Sequence, residues 1–103
     1  MSMPTLYEYF GLIVLFYAGE HEPIHVHGSS QGRVSRAEII VLDGVISEVR
    51  YSTMPGRQQL KGKEMRYFRE LVTARAHDIV IKWTDFFVFH KLITPERITR
   101  RLK

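Results

Sequence analysis

The first half of the chain carries short apolar stretches that alternate or run unbroken, and the second half repeats every three or four residues. Thr5 to Phe10 alternates loosely, with Leu6 and Phe10 opposite Tyr7 and Tyr9. Leu12 to Tyr17 is a continuous apolar run rich in β-formers, which predicts a central strand covered on both faces. Gly11 separates these runs, as a tight hairpin or as a bend in a single ribbon. Ala18 to Pro23 is a loop by composition, and Pro23 biases Glu22 away from helix. Ile24 to His27 alternates apolar and imidazole as a half-buried strand does, and Gly28-Ser29-Ser30-Gln31-Gly32 is a turn or short loop. Asp43-Gly44 lies between two Val- and Ile-rich runs, Val34–Leu42 and Val45–Tyr51. Asp-Gly tolerates the positive φ angles of a type I′ turn, so a hairpin is predicted there. Ser52 to Leu60 is irregular, with a turn at Pro55-Gly56.

From Lys61 onward the period changes. Met65, Phe68, Val72, Ala76, Ile79, Trp83, Phe86, Phe87 and His90 trace one helical stripe, with Lys63, Arg66, Glu70, His77, Asp78 and Lys82 opposite. The spacing predicts a helix from Lys63 to about Lys91, with Thr84-Asp85 as the start of a second helix if it divides. Phe86-Phe87-Val88-Phe89 is apolar on successive faces, which one helix cannot bury against a small sheet, so a homodimer or protein partner is expected through Phe86, Phe87 and Phe89. The tail is ambiguous. Thr94-Pro95-Glu96 has the form of a helix N-cap, whereas Ile98, Arg100 and Leu102 alternate like an edge strand. The fold class that follows is α+β: an antiparallel sheet of four to five strands within residues 3–52, packed against one long or two consecutive helices in 61–91, with a tail at 94–103. A chain of 103 residues supports one such domain.

Composition adds constraints rather than an activity. Apolar residues are 45% and charged residues 25%, which excludes wholesale disorder. There is no cysteine, hence no disulfide, thiol nucleophile or thiolate metal site. No apolar run is long enough to span a bilayer and the start lacks a signal-peptide pattern, so a cytoplasmic protein without membrane contact is expected. Charge is uneven. Residues 1–52 hold three basic against six acidic side chains, and residues 53–103 hold twelve against five. A basic second half suits an anionic partner, nucleic acid included, or simply solvates a helix.

Chemistry concentrates in Glu20-His21-Glu22-Pro23-Ile24-His25-Val26-His27. On a strand His25 and His27 share a face, roughly 6–7 Å apart at the backbone, and His21 can fold over them from the loop. Three uses suit such a set. With Glu20 or Glu22, the histidines His21, His25 and His27 are candidate ligands for Zn²⁺ or Ni²⁺. His25 and His27 are candidate acid and base for RNA cleavage, since imidazole titrates near neutrality. They can also contact a partner, or hold the loop by hydrogen bonds with no function beyond the fold. No His-Glu-x-x-His helix or nucleophile elbow is present, and Gly28–Arg33 lacks the Gly-Lys-Ser/Thr ending of a phosphate loop.

Met3-Pro4-Thr5-Leu6, Phe16-Tyr17, Glu20-His21, Pro23 and His25-Val26-His27 resemble the signature of the small bacterial family called domain of unknown function 4160. The likeness runs on through Ala37–Ile40, Gly44, Ile46–Glu48, Gly56-Arg57, Leu60, Lys63-Glu64 and Trp83. This chain has Pro23-Ile24 where many relatives place two prolines. The resemblance implies a cytoplasmic domain without assigned mechanism or cofactor, often suspected as a toxin–antitoxin component. The expectation is a binding or regulatory module rather than an enzyme, with His21, His25, His27, Arg57, Lys61 and Lys63 as its contact surface. No metal or other cofactor is expected.

Overall fold

In a computed structural model, which describes residues 3–17 and 23–103, three two-residue turns fold the first half of the chain. They join β1 (Thr5–Tyr9) to β2 (Leu12–Leu15), β3 (His25–Ser30) to β4 (Arg33–Leu42), and β4 to β5 (Val45–Thr53). Each has positive φ at both central residues: 50° and 87° at Phe10-Gly11, 51° and 79° at Gln31-Gly32, 53° and 77° at Asp43-Gly44. That is the type I′ geometry, whose twist matches the strands it joins. The run expected as a loop from Gly28 to Gly32 is therefore strand as far as Ser30, with only Gln31-Gly32 turning. Helix α1 (Gly62–Phe87) follows, then the short strand β6 (Glu96–Ile98).

The structure is α+β, with a six-stranded sheet in the order β5-β4-β3-β2-β1-β6 and α1 across one face. Adjacent strands run antiparallel except β6, which lies parallel to β1 with Tyr9 opposite Ile98. The tail thus forms an edge strand rather than a helix and supplies the sixth strand. Its proline stands just before Glu96, at a strand start where a missing N–H is tolerated.

Helix α1 runs as a single element whose backbone leaves helical geometry at Arg75 (φ −117°, ψ 15°), not at Thr84-Asp85. It ends at Phe87, short of Lys91. Val88 and Phe89 N–H groups close onto the Thr84 carbonyl, and the exposed His90 turns left-handed at φ 56° instead of closing the apolar stripe. Phe68, Leu71, Val72, Ala76, Ile79 and Trp83 are its buried side chains.

Gly28 settles which sheet face α1 covers: a Cβ there would come within 2.7 Å of the Phe68 ring. Val14 lies beside Gly28 in the register, and Val26, Ala37 and Ile39 join the same core. Strand alternation then sends Leu15, His25, His27, Arg36 and Glu38 to the opposite face. Tyr7 and Tyr9 are wholly buried, yet their hydroxyls donate to Asp78 and Glu70 of α1, two carboxylates expected on the solvent face. Burial and then the Asp78 carboxylate push the Tyr7 hydroxyl pKa up. Burial opposes the Asp78 charge, but Tyr7 and Lys82 outweigh it and hold that carboxyl below its usual range. No helix among the described residues is long and apolar enough to cross a membrane.

Candidate functional site

His25 and His27 share a face, as their spacing predicts, opposite Glu38 and Arg36 of β4. Their rings lie 5.1 Å apart, edge to face. Both are buried, at 2% and 0% exposure. His25 Nδ1 stands 2.6 Å from the Pro23 carbonyl oxygen, and because a carbonyl only accepts, that nitrogen carries a proton. The Tyr17 ring lies flat on His27 with centroids 3.8 Å apart. Both ring nitrogens of His27, and Nε of Arg36, are buried without a hydrogen-bond partner among the described residues. Desolvation, then the proximity of His25 and Arg36, pushes the His27 pKa down to about 4. His27 is therefore neutral at pH 7, with one ring N–H and no imidazolium proton to give as a general acid. No group of three or more metal-ligating side chains occurs among the described residues, and His21, Glu20 and Glu22 lie outside them.

The cationic candidates lie elsewhere. Arg57 is exposed and donates to the Gly32 carbonyl at 3.2 Å, beside the β3–β4 turn. Lys61 occupies the N-cap of α1 without capping it, and Lys63 is exposed in the first turn. Because α1 covers the face opposite the histidines, the structure places His25 and His27 on one side of the sheet and Lys61 and Lys63 on the other.

The positive side chains converge instead on a groove of about 1060 Å³ between the first half of α1 and the C-terminal tail. Arg66, Arg69, Arg101 and Lys103 line it together with the apolar Met65, Ala74 and Leu102. Glu70, the only acidic side chain among the described residues that line it, is already held by the Arg101 guanidinium, which lowers the Glu70 pKa and raises that of Arg101. The tail is fastened further by the Leu102 N–H donating to the Tyr9 hydroxyl at 2.8 Å. Arg69 caps the Tyr51 ring and Arg101 the Tyr67 ring, each 4.6 Å from the centroid. Sequence reasoning missed this groove. Arg66 looked like an ordinary solvent-facing residue and the tail had no settled conformation, although the excess of positive charge after residue 52 pointed to this half.

The aromatic end of α1 is largely spent within the chain. Phe16 packs on Phe86 and Phe87 at 6.1 and 5.5 Å, and Trp83 on Phe87 at 5.5 Å. Val88 and Phe89 are the exposed remainder.

Compared with known proteins, the chain matches the family model described as "Domain of unknown function (DUF4160)" over residues 11–84, from the β1–β2 turn through most of α1. No curated protein and no solved structure matches it. With well over half of its length matched, the chain belongs to the DUF4160 family.

Proposed function

We propose that the chain is a small cytoplasmic binding or regulatory module rather than an enzyme, one half of a toxin–antitoxin-like pair. Its contact surface is the groove between α1 and the tail, and its ligand is an acidic, partly apolar segment of a partner protein. The observation that carries this reading is four cationic side chains around an apolar lining, against one carboxylate that is already neutralised. Lys61 and Lys63 flank Gly62 of that lining and extend its positive potential. Charge of one sign steers an acidic partner in and rejects a basic one, while Met65 and Leu102 offer area for its apolar side chains. Nucleic acid fits less well. Single strands bind by stacking bases on open aromatic faces, and here Tyr51 and Tyr67 are capped by guanidinium groups. The wholly buried His27 ring likewise lends no support to acid–base cleavage of RNA, which needs the ring within reach of the substrate.

The test is capture from lysate with tagged wild type and the Arg66→Glu/Arg69→Glu double variant, beside a retention assay with mixed-sequence single-stranded RNA. Wild type should hold a discrete acidic protein that raised salt releases, and the double variant should recover at least about tenfold less. Equal recovery by both proteins, or RNA retained and cleaved by wild type but not by His25→Ala, overturns the reading.

A further inference from the structure

Strand β5 is nine residues long and stands at the end of the sheet, with β4 its one neighbouring strand among the described residues. None of its side chains is buried. Edges of this kind invite pairing with another chain, and proteins blunt them with proline, lysine, bulges or short length. β5 has no proline and no lysine. It has one irregularity: the register steps from Ile40 opposite Glu48 to Val41 opposite Ile46, which leaves Ser47 without a partner residue. From Glu48 to Thr53 the pairing is regular, six residues, an ordinary length for a strand.

We propose that this edge is the interface of a symmetric homodimer, in which the β5 strands of two copies pair antiparallel across a two-fold axis at Val49. Charge selects that register. A two-fold axis normal to a continuous sheet sets each residue opposite the one equally far beyond the axis in the other copy. Centred on Glu48 or on Arg50, the pairing sets a charge against its own copy. Centred on Val49, it sets Glu48 against Arg50 twice, and opposite charges directly across an antiparallel pair stabilise it. The two side chains already form an exposed ion pair along the strand at 3.1 Å, on the face turned from α1. Arg50 also lies opposite Glu38 of β4. The dimer therefore extends a row of alternating charge from Glu38 through Arg50 to the Glu48 of the second copy.

Sedimentation equilibrium over a concentration series tests this with wild type, Glu48→Arg, Arg50→Glu, the double swap Glu48→Arg/Arg50→Glu, and Phe89→Ser. Wild type should dimerise, each single reversal should weaken the dimer about tenfold or more, and the swap should recover most of the loss. Phe89→Ser should leave association unchanged. Hydrogen exchange gives a readout on wild type alone: the alternate amides within residues 47–51 that point away from β4 should gain protection as concentration rises. A monomer up to about 1 mM, single reversals that leave the dimer intact, a swap no better than the singles, or dissociation by Phe89→Ser alone each overturn the proposal.

Discussion

His27 is a polar ring without a hydrogen-bond partner among the described residues. Replacing it with phenylalanine keeps the Tyr17 stack and loses no hydrogen bond among the described residues. At pH 7, His27→Phe should therefore leave stability unchanged or raise it by about 1 kcal/mol in urea unfolding. The pH dependence has a defined sign. Folding lowers the His27 pKa from 6.5 to about 4, so across that interval the unfolded chain takes up a proton the folded chain refuses. The wild type should hold this contribution in full above pH 6.5 and lose about 3 kcal/mol as the pH falls towards 4, and His27→Phe should flatten the slope. Gly28, one residue on, is a steric matter. Its missing Cβ leaves room for the buried Phe68 ring, and Gly28→Ala should cost about 2 kcal/mol by the same measurement. The shared face of His25 and His27 was legible in the sequence because strand alternation is local. Their burial was not, because it depends on Tyr17, Arg36 and the chain around Pro23 meeting in space.

At the scale of elements, turns and edges divide along the same line. Asp43-Gly44 carries its geometry in its residue types, and the hairpin it predicts is present. Phe10-Gly11 and Gln31-Gly32 adopt the same turn with first residues that rarely signal it, so the strands beside them were harder to bound. The sheet-on-helix arrangement followed from the change of period at Lys61. The break at Arg75 had no counterpart in the apolar stripe, which continues through it. β6 is three residues long and owes its place to β1 and to the tail's attachment at Glu70 and Tyr9. That attachment is testable. Glu70→Ala removes the acceptor shared by Tyr9 and Arg101, and limited proteolysis should then cut the last residues several-fold faster while α1 resists as before. Equal cleavage rates would show that β6 alone holds the tail.

Across the whole molecule, one sheet separates two chemically different regions. The first half of the chain, net acidic, forms β1 to β5 and buries His25 and His27 on the face turned from the helix; the second half, net basic, places its cations along α1 and the tail. The charge imbalance was visible in the sequence, but its focus was not, since Arg66 and Arg101 are far apart in the chain and meet only through Glu70 and the docking of β6. We propose the groove between α1 and the tail, and not the histidine face, as the contact surface. Amide chemical-shift mapping locates a contact directly, with a short synthetic peptide of alternating glutamate and leucine as probe and a single-stranded RNA oligonucleotide as comparison. The peptide should shift residues 65–74 and 101–103 and leave His25 and His27 unmoved, with the RNA producing no such pattern. Shifts centred on His25, His27 and Arg36, or the groove pattern produced by RNA and not by the peptide, would contradict it.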